Sequence, residues 1–258
     1  DMITGSITED GIILVKDALT EIKVSKTDIT GETELEGATL EIYKAGEDGK
    51  PTGEALRSWT SSDEGPQTIT GLPTGVEYVL VETVAPDGYT IATNTNFAIN
   101  TDGTVDMITG SITEDGIILV KDAQTFVSKQ DIVGHEIAGA DLQILDKDNN
   151  VVDSWKSGQD GFDEKRRPIP HPANGLKVGE TYTLVETNAP TGYLIAESIR
   201  FTVKADGKVD VLDADGKVIT KDAAQLIMVD EFKQMLMLGF AGLSAAPNND
   251  ARAVIYPE

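Results

Sequence analysis

The chain has 258 residues, with 44 acidic and 21 basic side chains, a formal net charge of −23 and no cysteine. That balance excludes nucleic acid and anionic membrane surfaces as partners, since both demand clustered Lys and Arg, and it leaves no disulfides to form. Hydrophobic residues at 40% and charged residues at 25% are ordinary for a globular protein, and the length admits one or two domains.

In chain order, the first segment is "DMITGSITEDGIILVKDA" (1–18), which recurs without a change at 106–123. Internal repetition of this kind signals a tandem array and takes precedence over any single-domain reading. Short alternating runs follow, "EIKVSK", "TLEIYK", "EYVLVET" and "GIILVKD", punctuated by the turn signals "LPTG", "APDGY", "NTDG" and "EDG". The pattern then repeats at lower identity: "VSKTD" (24–28) with "VSKQD" (127–131), "LEGATLEIYK" (35–44) with "IAGADLQILD" (137–146), and "YVLVETVAPDGY" (78–89) with "YTLVETNAPTGY" (182–193). The organisation expected is a remnant of a preceding repeat at 1–18, one unit at 19–123, a second at 124–233 and a non-repeat tail at 234–258. Strands at this spacing in units of ~100 residues predict an all-β protein of tandem immunoglobulin-like β-sandwiches. Asp122 and Lys129 are only seven positions apart, so the units are expected to stack as a stiff rod. The apolar run at 235–246 falls short of the roughly 20 residues a spanning helix needs, and no membrane insertion is expected. Beginning at Asp1 without a signal-peptide pattern, the sequence reads as a mature fragment or an engineered product.

Strand side chains alternate between sheet faces. Ile22, Val24 and Lys26 therefore share a face, as do Val127 and Lys129; Tyr78, Leu80 and Glu82 share one, as do Tyr182, Leu184 and Glu186. In the closing strands Asp122 falls in line with Ile118 and Val120, and Asp230 with Leu226 and Met228. Each unit thus aims one Lys, one Glu and one Asp at an apolar interior. An isolated buried charge costs several kcal/mol even after relaxation. Burial, however, favours the neutral amine and the protonated acid. A neutral amine is a nucleophile, a protonated carboxylic acid can lose water, and a neighbouring Glu can polarise the carbonyl and shuttle protons. The product is a neutral Lys–Asp amide.

These residues resemble the Cna B-type (SpaA-like) domains of Gram-positive surface adhesins and pilins: the Lys of "VSK.D", the Glu of "LVET.AP.GY" and the Asp of "IMVD". The second unit is especially similar to the fibronectin-binding adhesin domain that was split to give SpyTag and SpyCatcher. The resemblance covers about 19–233. It implies isopeptide bonds joining Lys26 to Asp122 with Glu82 as catalyst, and Lys129 to Asp230 with Glu186 as catalyst. It also implies an extracellular, cell wall-attached protein that meets neighbouring repeats of itself and a host extracellular-matrix or cell-surface protein. The closing strand of unit one departs from the pattern in carrying Lys121 directly before its aspartate. No LPxTG sorting signal is present, and Glu258 stands where the lysine of a terminal pilin motif would be, so sortase chemistry is not assigned.

Blander readings stand beside these. The alternative to the crosslink in each triad is a buried ion-paired cluster without a covalent bond, the crosslink being the favoured reading, and Asp17, which has no upstream Lys, reads as an exposed remnant. The acidic turns "DKDNN" and "DADGKVITKD" lack the ligand series of a calcium loop. His135 and His171 lie in different loops without cysteine, which argues against zinc. Trp59 and Trp155 occupy matching places and read as packing residues. No cofactor is expected, and no motif for an external substrate appears. Three functions remain open: a self-crosslinked stalk, a host-ligand-binding adhesin module, and an engineered protein exploiting amide formation.

Overall fold

The structure, a computed structural model, describes residues 20–233 together with the short strands Ser6–Ile7 and Ile13–Leu14. Two compact units form, and among the described residues every regular element is a β-strand. The expected all-β tandem of sandwiches is what the chain folds into.

In the first unit, one sheet orders the strands Ser111–Ile112, Ile117–Asp122, Glu21–Asp28 and Gln67–Thr70. The other orders Pro51–Thr60, Thr39–Ala45, Val76–Val84, Thr95–Ile99 and Val105–Met107. Period-two alternation supplies the core between them: Ile22, Val24, Ile118 and Val120 from the first sheet meet Leu40, Ile42, Tyr78, Leu80, Phe97 and Ile99 from the second. Tyr78 and Phe97 stack at 5.5 Å. The chain from Phe126 onward repeats the plan. His171–Pro172, Phe126–Asp131 and Leu226–Asp230 form one sheet. The other runs Val151–Lys156, Asp141–Leu145, Thr181–Asn188, Ile199–Val203, Val209–Leu212 and Val218–Ala223. Val127, Leu142, Ile144, Leu184, Phe201 and Met228 are buried there. Complete burial of one such side chain stabilises the fold by about 1.5–3 kcal/mol.

One feature places the chemistry. In each unit the opening and closing strands lie side by side and parallel: Glu21–Asp28 with Ile117–Asp122, and Phe126–Asp131 with Leu226–Asp230. Parallel neighbours require a long crossover, and here the crossover is nearly the whole domain.

Ser6–Ile7 and Ile13–Leu14 pair as Ser6 with Leu14 and Ile7 with Ile13, the same register as Ser111 with Leu119 and Ile112 with Ile118 in the identical copy. The remnant reading of Asp17 and the role of 234–258 lie outside the described residues.

Candidate functional site

The Lys and Asp of each unit come from the parallel pair of strands, and the Glu comes from the facing sheet. Lys26 sits opposite Val120 and Asp122 sits opposite Asp28, so the two side chains share a face with a stagger of two residues. Lys129 opposite Met228 and Asp230 opposite Asp131 repeat the stagger. Across the core, Glu82 lies opposite Leu40 and Glu186 opposite Leu142. A register shift precedes both leucines, between Thr39 and Leu40 and between Asp141 and Leu142. Each shift marks a local irregularity in the pairing, and bulges of this kind re-aim side chains next to functional groups.

All six sequence-predicted residues are buried, and each triad assembles. Lys26 Nζ contacts Asp122 Oδ1 and lies 3.2 Å from Glu82 Oε1. Lys129 Nζ contacts Asp230 Oδ1 and lies 3.1 Å from Glu186 Oε1. The side chains are at most 2% exposed, which decides that water does not screen them.

The "AP.GY" string explains how the glutamate is held. Tyr193 N donates to Pro190 O across a tight turn, with Gly192 at φ +91°, a conformation that a side chain disfavours. The turned chain then returns so that Ala196 N donates to Glu186 Oε2 at 2.7 Å. Ala92 N donates to Glu82 Oε2 at 2.6 Å behind the matching turn at Gly88. One oxygen of each glutamate is anchored by backbone and the other faces the lysine.

Burial dominates the electrostatics. It pushes the Glu82 carboxyl up to about 8, with the Asp122 charge adding to the rise and Lys26 opposing it. Burial likewise raises Asp122, against Lys26. It lifts Asp230 to about 6, against its hydrogen bond and charge attraction to Lys129 and with repulsion from Glu186. As pure ions the centres are under-satisfied: Asp230 Oδ2 and Asp122 Oδ2 are buried without a hydrogen-bond donor, and Glu82 Oε1 and Glu186 Oε1 face only the lysine. A proton retained by the carboxyl pair of each centre supplies the missing donor and lowers the buried charge.

The sequence match agrees with this geometry. The model of the SpaA family, prealbumin-like fold domain, matches residues 20–111 and again 123–217, more than half of the chain. The chain belongs to this family. No curated protein matches. Among solved structures, a C-terminal fragment of the pilus adhesin SpaC from Lactobacillus rhamnosus GG is 17% identical, with 85% of this chain and 99% of that one covered and a TM-score of 0.33. The shaft pilin SpaA from the same organism is also 17% identical, covering 85% and 100%, with a TM-score of 0.32. Membership of the SpaA family rests on the sequence match and not on these two structures.

Two further features of these SpaA-family domains were not found from sequence. Ser25 and Ser128, on the strand face opposite the lysines, are buried and donate to Glu34 Oε1 and Glu136 Oε1. Their signal was the repeated Ser before the Lys and the Glu eight or nine residues on. His171, set aside as a loop residue, is buried on the strand beside Phe126–Asp131; nothing in its local sequence announces that.

Proposed function

We propose that the chain is a structural stalk or shaft segment of a Gram-positive cell-surface adhesin or pilin, stiffened by one Lys–Asp isopeptide bond in each of its domains, 19–123 and 124–233. The observation that carries this reading is the twofold recurrence of a buried Lys/Asp/Glu triad in the same register, in a protein of the SpaA family.

The chemistry follows from the contacts. With a proton moved from the ammonium into the carboxyl pair, Lys129 Nζ carries a lone pair beside the Asp230 carboxyl. Attack on Asp230 Cγ forms the C–N bond, while the protonated Glu186 hydrogen-bonds the developing oxyanion. Glu186 then relays the amine proton to the departing oxygen, the Cγ–O bond breaks and water leaves. Lys26, Asp122 and Glu82 take the same parts in the first domain. Two charges become one neutral amide, which relieves the desolvation cost of the precursor. The chain acts on itself only and turns nothing over.

An extracellular, cell wall-attached location and contact with neighbouring repeats belong to the same reading. Among the described residues no helix is long and apolar enough to cross a membrane. Tandem mass spectrometry of a proteolytic digest tests the proposal: branched peptides joining the Lys129 segment to the Asp230 segment are expected, and recovery of both segments only as linear peptides overturns it.

A further inference from the structure

The two centres are not walled alike. In each facing sheet a tryptophan, a leucine and the glutamate form a row: Trp59 opposite Leu40 opposite Glu82, and Trp155 opposite Leu142 opposite Glu186. Trp59 is half-buried, whereas Trp155 is 5% exposed. His171 packs on Trp155. Its ring lies flat on the Trp155 indole, with centroids 4.1 Å apart and planes 14° apart. His171 Nδ1 lies 2.9 Å from Asp160 Oδ2 and Nε2 lies 3.0 Å from Asp153 Oδ2. With both aspartates ionised each accepts, so both ring nitrogens donate and the arrangement favours the imidazolium. The two carboxylates sit on opposite ring nitrogens and do not converge on a common point, so they form a clamp and not a metal site. A cavity of about 10 Å³ lies beneath, its wall formed in part by Lys129, Glu136, Trp155, Asp160 and His171. The strand that occupies the matching place in the first unit, Gln67–Thr70, has no histidine.

We propose that His171 is a positioning residue for the second centre: clamped between Asp153 and Asp160, its imidazolium holds Trp155 closed over the cavity beside Lys129, keeping bulk water from the centre while the amide forms. The inference rests on the amide-forming reading above. Water at Lys129 solvates the ammonium and the carboxylate, and so disfavours the neutral pair that reacts. A closed wall therefore speeds condensation, and an open one slows it.

The groups facing the ring set its response to pH. Burial disfavours the charged ring, but hydrogen bonds and charge from Asp153 and Asp160 outweigh burial and raise its pKa. Lys129 and Glu136 border the same cavity from the opening-strand side. With the folded value above the free one, the clamp is fully present below the ordinary histidine range and is lost as pH rises through the raised value. The first centre lacks the clamp and serves as the control within the same molecule.

The test follows crosslinking in time after cell-free synthesis of the full chain, with denaturing quench and peptide mapping of each domain, in wild type and His171→Phe. Phe keeps an aromatic on Trp155 but holds neither aspartate. At about pH 5.5 the second-domain rate in wild type is expected to exceed that of His171→Phe by about tenfold, and by about pH 8.5 the ratio falls towards one. The first-domain rate is expected to be the same in both chains. A ratio that does not change with pH, or an equal change in both domains, overturns the positioning role while the amide reading stands. Absence of the second amide in wild type overturns both. An independent readout needs no variant: the Trp155 indole N–H of the crosslinked wild type should exchange with solvent faster as the clamp deprotonates, while Trp59 shows no such step. A Trp155 exchange rate without that step contradicts the inference.

Discussion

Lys129 and Asp230 lie on adjacent parallel strands but not opposite one another, because Lys129 faces Met228 and Asp230 faces Asp131. The stagger of two keeps both on the inward face, and the long lysine side chain spans the diagonal. A stagger of one would put one of them on the outer face of the sheet. Lys26 and Asp122 are staggered identically.

The link closes almost the entire second domain, since 101 positions separate Lys129 from Asp230. By the loop-entropy model made for disulfides, a loop of that order contributes about 4.7 kcal/mol, and loss of one partner of a buried pair costs about 3–5 kcal/mol. Lys129→Ala is therefore expected to destabilise the second domain by about 3 kcal/mol or more. Denaturant titration with a second-domain probe checks this; an unchanged midpoint contradicts it. The same variant should extend further than wild type under single-molecule pulling, because force on the parallel strands otherwise loads the amide first.

Glu82→Gln and Glu186→Gln separate catalysis from architecture. Glutamine keeps an acceptor for Ala92 N or Ala196 N but cannot relay protons. Each variant is expected to fold and to lack the amide of its own domain alone. Peptide mapping reads this, and loss of both bonds from one substitution would show a different cause.

The pH dependence of bond formation follows from the carboxyls. The protonated carboxyl beside a neutral amine is the reactive arrangement, so the rate is expected to decline as pH rises through the raised carboxyl value. Burial raises Glu82 to about 8 in the first domain and Asp230 to about 6 in the second, so crosslinking in each is expected to slow on the alkaline side of those values. Quenched time courses check this; a rate that keeps rising through about pH 9 in either domain contradicts it.

Gly192 carries the turn that returns Ala196 to Glu186. A methyl group there meets no neighbour within 4 Å, so the cost of Gly192→Ala is the left-handed backbone alone, about 1–2 kcal/mol. A lower melting temperature and slower second-domain crosslinking are expected, with the first domain unchanged.

The sandwiches and the six triad residues were legible in the sequence because strand periodicity places a side chain on a face, and three ionisable groups on apolar faces are conspicuous. Pairing was not legible. That the opening and closing strands run parallel depends on the whole crossover, which no local pattern encodes. Ser25 illustrates the limit of alternation: standing between Val24 and Lys26, it falls on the face away from the core, yet it is buried against Glu34, so that face is covered there too. His171 was missed for a related reason. Its partners Asp153 and Asp160 lie 18 and 11 positions away, the first on the strand Val151–Lys156 and the second in a connection at 157–170 that has no counterpart of that length in the first unit.

The central claim is that each domain seals itself with an amide. Intact-mass measurement of the denatured full chain tests it most directly. The account predicts a mass short of the sequence value by two water molecules; a chain at its full sequence mass would contradict it.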